Sequence, residues 1–366
     1  MKRLILTVTN DLTYDQRMQR ISSTLAEAGY AVTLVGRRLS HSRPLTSKPY
    51  AQKRLRCLFN KGPLFYAEYN LRLFFFLLFR GFDAICAADL DTVLPAFLVG
   101  GWKGAVKFYD AHELFTEMKE VRSRPAVHRA WLRIERFAVH RMDYGYTVGE
   151  EIAQIFEERY GRPFAVVRNM PRPRKASPRP VAERKYVLYQ GAVNEARGFE
   201  AIVPAWRDVP LPLVVCGDGN FMQQLRALIR EWNVEDKIDL RGMLPPEELG
   251  AFTEGATIGI NFTENVGLNQ LYCLPNKYFD YVQAGIPLVT NDYPQYRRLN
   301  EQYEVALLLT ELTPVAIAAA VNRLLSDATL YERLAQNALK AREHWHWDAE
   351  SPVLLDLYAK AFQRGR

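Results

Sequence analysis

LILTVTNDLTYDQRMQRISSTLAEAGYAVTLV, residues 4–35, carries the reading on which the fold turns. Its first five residues, Leu4-Ile5-Leu6-Thr7-Val8, form a short apolar run of the kind buried on both faces of a sheet. Asp15 to Ala28 reads as an amphipathic helix stopped by Gly29, and Ala31-Val32-Thr33-Leu34-Val35 as a second strand. Two adjacent strands joined through a helix run parallel, so the stretch is a βαβ unit. The pattern repeats outward. Ala84-Ile85-Cys86-Ala87 precedes Asp89, Ala105-Val106-Lys107-Phe108-Tyr109 precedes Asp110, and Tyr144-Gly145-Tyr146-Thr147-Val148 precedes a helix from Glu150. A parallel sheet covered on both faces is predicted.

Pro171-Arg172-Pro173-Arg174-Lys175-Ala176-Ser177-Pro178-Arg179-Pro180 holds too much proline for regular structure and reads as a linker. A second alternation follows it, with strands at Tyr186–Tyr189, Leu213–Cys216, Ile238–Leu240, Ile258–Asn261 and Ile286–Val289, and a helical tail from about Pro314. The expected organisation is an α/β domain over residues 1–170, a linker over 171–185, a second α/β domain over 186–345, and a terminal helix, 346–366, packing back on the first. Two such open sheets are expected to face each other across a cleft, with ligands at the carboxyl ends of the strands.

The length, 366 residues, suits two domains of ordinary size, and 48% hydrophobic with 24% charged residues argues against disorder and fibrous structure. A net charge of +7 favours anionic partners. Four scattered cysteines, Cys57, Cys86, Cys216 and Cys273, speak against a disulfide framework or structural zinc and fit a reducing cytoplasm. His41, His128, His140, His344 and His346 have no partner at metal-ligand spacing, so no metal is expected. The N-terminal apolar run is too short for a signal-peptide core, and Leu71–Arg80 is too short to span a bilayer. The aromatic and basic stretch from Lys53 to Arg80 has two readings. Phe65, Phe74, Phe75, Phe76 and Phe79 lie against the inner membrane with Arg54, Arg56, Lys61, Arg72 and Arg80 near anionic headgroups, or a helix covers the sheet with its greasy face inward.

The segment richest in chemistry is Leu274-Pro275-Asn276-Lys277-Tyr278-Phe279-Asp280-Tyr281-Val282-Gln283-Ala284-Gly285-Ile286-Pro287-Leu288-Val289. Lys277 in a helical first turn opposes the dipole, a placement that makes sense with a phosphate between them. Asp280, three residues on, shares its face and could accept from ribose hydroxyls, or merely pair with Lys277 on a surface helix. Gly191-Ala192-Val193-Asn194-Glu195-Ala196-Arg197-Gly198 follows a strand, and Arg197 could fork onto a diphosphate. Gly217-Asp218-Gly219-Asn220 invites a dinucleotide reading that fails because Met222 stands where the third glycine belongs. In the first half, Asp110, His112 and Glu113 end a strand at the mouth of the sheet, with Asp110 a plain helix cap in the bland version. The loop with Asn10, Asp11, Tyr14, Asp15, Gln16, Arg17 and Arg20 could grip an acceptor, or Asp11 or Asp15 could simply cap the helix. Serine-hydrolase, Walker, zincin and kinase signatures are missing.

Taken in order, Asp15-Gln16-Arg17, Tyr109 through Glu113, Arg168-Asn169, Gly191 through Gly198, Gly217-Asp218-Gly219, Leu274 through Val289, and Trp345, Trp347 and Tyr358 resemble one family. It is the retaining nucleotide-sugar glycosyltransferases of GT-B fold, in the "group 1" family of bacterial cell-surface polysaccharide enzymes. The resemblance implies a catalytic set of His112, Arg197 and Lys277, the two cations on the donor diphosphate and His112 near the reacting carbon. It implies donor contacts from Gly191, Gly217, Gly219, Asn276 and Asp280, and acceptor contacts from Asp15, Gln16, Arg17 and Glu113. Two positions depart from it: Ala192 replaces an arginine and Tyr272 the first of two acidic residues, for which Glu264 could substitute. The expectation is a metal-independent transfer needing no cofactor, from a nucleotide-sugar donor to a saccharide or lipid-linked acceptor, in the cytoplasm or at the inner membrane face. Rival expectations are a nucleotide-sugar epimerase on the same architecture and a non-catalytic binding partner. Nucleic acid is not an expected partner, because the basic linker Arg172 to Arg184 has no reading helix or aromatic platform beside it.

Overall fold

The computed structural model describes residues 1–40, 42–174 and 178–363. His41, the linker residues Lys175-Ala176-Ser177 and the last three residues of the predicted tail helix lie outside the described residues. The chain divides into two compact units: Met1–Arg168 together with Glu350–Arg366, and Asn169–Ala349.

The first unit is built on seven strands: β1 (Arg3–Thr7), β2 (Ala31–Arg38), β3 (Ala51–Arg56), β4 (Ala84–Ala88), β5 (Val106–Ala111), β6 (Tyr144–Thr147) and β7 (Phe164–Val166). They lie in the order β3-β2-β1-β4-β5-β6-β7, with every neighbouring pair parallel. The quoted stretch supplies β1, the helix Gln16–Glu27 and β2, and that helix buries Met18, Ile21 and Leu25. Chain order reverses between β1 and β4, which opens a crevice at their carboxyl ends. Edge strand β3 escapes sequence reading because its pattern, Ala-Gln-Lys-Arg-Leu-Arg, is polar and half-exposed.

Lys53 to Arg80 holds the end of β3 and the helix Gly62–Leu78. Phe65, Tyr69, Leu73 and Leu77, four residues apart, form the helix's buried face, so Phe65 does not face lipid. Phe75 and Phe79 are 49% and 80% exposed. Arg54 is largely buried and pairs with Asp11 at 2.5 Å. Among the described residues, no helix is long and apolar enough to cross a membrane.

The second unit has six strands: β8 (Tyr186–Gln190), β9 (Leu213–Cys216), β10 (Ile238–Gly242), β11 (Ala256–Asn261), β12 (Leu288–Asn291) and β13 (Ala306–Leu309). Their order is β10-β9-β8-β11-β12-β13, again all parallel, so the reversal falls between β8 and β11. The predicted linker is put to use inside this unit. Arg184 is buried and donates to the carbonyls of Gly285 at 3.0 Å and Ala284 at 3.3 Å, which end the helix Asn276–Gln283. Arg174 pairs with Glu254 at 2.8 Å, so these two arginines are engaged internally.

Residues from Glu350 onward belong with the first unit. Glu350 accepts from the backbone N–H of Arg168 at 2.7 Å, and Tyr358 stacks on Phe108 of β5 with centroids 4.0 Å apart. An aromatic pair at that spacing adds about 0.5–1.5 kcal/mol beyond the area it buries.

Candidate functional site

Each unit places its chemistry at the carboxyl ends of the strands flanking its reversal point. In the second unit, the Gly191–Gly198 loop leaves β8 and closes with Ala196 and Gly198 both at positive φ, +60° and +76°. The loop after β9 packs directly onto it. A Cβ on Gly217 would lie 1.8 Å from the Gly191 carbonyl oxygen, and one on Gly219 2.3 Å from that of Val193. Gly217 and Gly219, expected to touch a donor, thus also allow two loops to approach within contact distance. Asn220 and Asn194 bind the two loops together through Asn220 N–H to Asn194 Oδ1 at 3.1 Å.

The helix Asn276–Gln283 begins beside this loop pair with no side chain capping its first turn. Lys277 is 6% exposed and its ammonium lies over the Tyr189 ring, 3.7 Å from the centroid. Burial, and then the positive Arg197 guanidinium, push its pKa well below the ordinary lysine value. The positive charges of Lys277 and Arg197 are thus near enough to oppose each other. Asn276 keeps a buried side-chain oxygen with no hydrogen-bond partner. Asp280 accepts from Gln190 Nε2 at 2.9 Å, while Thr253 donates to the other end of that amide, also at 2.9 Å. Gln190 and Tyr189, the last two residues of β8, were missed in the sequence because a strand's final residues look like core. Glu264 lies next to the loop, its N–H donating to Ala196 O at 3.0 Å.

The first unit differs in kind. Arg17 is 3% exposed and forks onto Asp110, Nη2 to Oδ1 at 2.7 Å and Nε to Oδ2 at 3.1 Å, with Nη1 donating to Val167 O at 2.7 Å. Acceptor contact by Arg17 is thereby corrected: the guanidinium is committed inside the domain, where it fixes Asp110. Asp15 is corrected too, being the N-cap of the first helix; it accepts from Met18 N–H at 3.0 Å and from Asn10 Nδ2 at 3.1 Å. Gln16 opens that helix, and Glu113 lies half-buried just beyond β5.

His112 stands between two carboxylates. Its Nε2 is 3.0 Å from Asp110 Oδ2 and its Nδ1 3.3 Å from Asp89 Oδ2. Burial disfavours its charge, but Asp89 and Asp110 prevail and raise its pKa to about 9, so the imidazolium persists at neutral pH. Both ring nitrogens are engaged, which leaves the ring to act through its charge rather than as a base. Asp89, which sequence reading passed over, has φ +58° without being glycine. Its carboxylate accepts from His112 N–H at 2.9 Å and its own N–H donates to Asp110 O at 2.8 Å, contacts that hold a conformation costing about 1–3 kcal/mol. Asp91, two residues on, is raised to about 6 by burial and keeps Oδ1 without a partner. The only sequence signal for this pair was position, immediately after β4.

Among the described residues, no group of three or more His, Cys, Asp or Glu side chains is placed to hold a metal ion.

Comparison with known proteins agrees with this architecture. The family described as "Glycosyl transferases group 1" matches residues 172–341, the span holding the second site. An alpha-D-kanosaminyltransferase of Streptomyces kanamyceticus is 25% identical over 168 residues, 43% of this chain and 40% of that protein. A lipopolysaccharide core biosynthesis glycosyltransferase of Rhizobium meliloti is 25% identical over 267 residues, covering 68% and 74% of the two chains. The match to the first of these thus spans about two fifths of the relative's length, and that to the second about three quarters. Among solved structures, sucrose-phosphate synthase from Thermosynechococcus elongatus superposes over 100% of both chains with a TM-score of 0.80 at 16% identity, a likeness of fold.

Proposed function

Because the chain belongs to the glycosyl transferases group 1, with the GT-B fold, we propose that it moves a sugar from a nucleotide-diphosphate donor to a saccharide or lipid-linked acceptor, keeping the anomeric configuration. The product belongs to cell-surface polysaccharide or glycoconjugate synthesis, and the setting is the cytoplasm or the inner face of the cell membrane. The observation that carries this reading is the buried Lys277 at the reversal point of the second sheet, its ammonium on the Tyr189 ring and its charge opposed by Arg197.

Breaking a sugar–diphosphate bond builds negative charge on the departing phosphate, and catalysis is greatest where fixed positive groups already point at that charge. Lys277 and Arg197 repel each other in the free protein, and a diphosphate between them relieves that repulsion. The open first turn of Asn276–Gln283 adds backbone N–H groups of the same polarity. Asp280, held by Gln190, is oriented to accept from ribose hydroxyls. In this reading the two cations take the part a divalent ion would play, and turnover persists in a chelator. The charged His112, clamped by Asp89 and Asp110, is a fixed positive group of the first unit and not a proton acceptor. No protein nucleophile is required if the acceptor attacks from the face the phosphate leaves and gives its proton to that phosphate.

A thermal-shift panel of nucleoside diphosphates, followed by donor turnover, tests the reading. One nucleotide should stabilise the chain, by about 2.7 kcal/mol at a hundred times its dissociation constant. Lys277→Ala and Arg197→Ala should each abolish that shift and lower turnover by about 10²-fold or more. Turnover unchanged in both variants overturns it.

A further inference from the structure

A second concentration of positive charge lies in the first unit, at the opposite side of its sheet from His112. The carboxyl ends of β2 and β3 and the chain following β2 enclose a cavity of about 750 Å³. Arg38, Arg43, Lys53, Arg54 and Arg56 line it, and none of the lining residues is acidic. Parallel register pairs Arg38 with Arg56 and Gly36 with Arg54, so the three arginines rise from one face of the sheet.

Arg54 anchors the group. Its side chain is 8% exposed, pairs with Asp11 at 2.5 Å, and donates to Arg43 O, also at 2.5 Å. Asp11 also accepts from Ser42, which ties the wall of the cavity to the loop after β1. Arg54 Nε remains buried with no hydrogen-bond partner, a cost that an incoming anion would remove. Arg38, Arg43, Lys53 and Arg56 are exposed and in no ion pair among the described residues. One carboxylate against five cations leaves a strong positive excess in a concave site. Planar guanidinium forks suit phosphate oxygens, and Pro44, Leu45 and Leu55 give the walls an apolar portion for the carbon part of an ester.

We propose that this cavity binds the phosphate or diphosphate group of the acceptor, so that the acceptor is a phosphate ester rather than a neutral sugar. The inference rests on the transferase reading above and names the acceptor class for it. Asp11 ties the cavity to the loop after β1, on the same sheet that carries His112.

The test is calorimetric titration of inorganic pyrophosphate into the full chain carrying Lys277→Met, which removes the donor-site ammonium. Pyrophosphate should still bind. Adding Arg38→Gln and Arg56→Gln should weaken it by about tenfold or more, the scale of a lost charge-assisted hydrogen bond. The control pair Arg226→Gln and Arg230→Gln, exposed cations of the second unit, should leave it unchanged. Affinity unaltered by the first pair, or lowered as much by the control pair, overturns the proposal. Capture by phosphatidylcholine vesicles carrying a polyprenyl diphosphate, lost with the first pair, assigns the ester to a lipid; pyrophosphate binding without capture assigns it to a free ester. Nucleoside-diphosphate binding by the chain with Lys277 intact is read in parallel and bears on the donor proposal alone.

Discussion

The two units share a strand order and put their polar groups at the same place in it, yet their electrostatics are opposite. At the edge of the first sheet each buried cation has a carboxylate: Arg17 has Asp110, and His112 has both Asp110 and Asp89. At the edge of the second, the buried Lys277 ammonium lies on an aromatic ring and its charge is opposed by that of Arg197. A network that satisfies its own charges is finished before any ligand arrives and can only hold a shape. A buried ammonium held against burial and a like charge, as Lys277 is, stores a cost that a ligand of opposite sign repays. Topology alone, common to both, selects where a ligand goes; the charge balance selects what it is.

Removing one charge from each network should break the comparison most sharply. Asp110→Asn leaves Arg17 and His112 buried with a missing partner, and breaking such a pair costs about 3–5 kcal/mol. Adding Arg17→Met should recover part of that loss, since it removes one of the two cations left without the Asp110 carboxylate. Lys277→Met, by contrast, should stay within about 1.5 kcal/mol of the parent in the free chain, because a volume-conserving swap removes a repelled ammonium. Denaturant unfolding of the four chains measures both. Equal destabilisation by Asp110→Asn and Lys277→Met would show that the two edges are built alike.

The second effect concerns the ligand. Burial and Arg197 hold the Lys277 pKa below its ordinary value of 10.5, and a bound diphosphate would raise it again. Binding should therefore take up a proton. Nucleoside-diphosphate affinity should fall as pH rises above the free-chain pKa of Lys277, by at most about tenfold per unit, and calorimetry in buffers of different ionisation enthalpy should record the uptake. Affinity flat across the alkaline range, with Lys277→Met giving the same profile, would remove Lys277 from the site.

How much of this could be read in the sequence follows the same divide. The strands of both sheets announced themselves where burial on both faces demanded unbroken apolar runs, as in Leu4–Thr7 and Leu213–Cys216. Strands β3, β7 and β13, partly exposed at the sheet edges, carry no such demand and went unseen. Lys277, Asn276, Asp280 and Arg197 were legible because their order along the chain is their order in the loops, and the structure gathers them at one edge. Asp89, Asp91 and the second role of Arg17 were not. Asp110 meets Arg17 across 93 positions of sequence, a pairing that only the sheet creates. Arg17 and Asp15 were taken for ligand contacts because a polar residue early in a βα loop looks the same whether it faces water or caps and clamps its own domain. The Phe65 reading failed for a related reason: a phenylalanine row around a helix does not reveal which of its faces the sheet covers.

The smallest effect is in stability against pH, and its sign separates the two edges. The pKa of His112 is raised from 6.5 to about 9, so the folded chain holds a proton the unfolded chain has released over that interval. Its stabilising contribution is complete below about 6.5 and is lost as pH climbs through about 9. Asp89, whose pKa burial also raises, acts in the same direction. Lys277 acts in the other. Its folded pKa lies below 10.5, so its penalty is full at lower pH and fades as pH approaches that value. Melting curves of the parent should fall between neutral and mildly alkaline pH, more steeply in Lys277→Met, which lacks the compensating gain, and less steeply in Asp89→Asn, where His112 loses one of its two carboxylates. The ordering of the three slopes is the measurement. If Asp89→Asn falls as steeply as the parent, the His112 clamp holds no extra proton and the first edge is not the self-satisfied network described here.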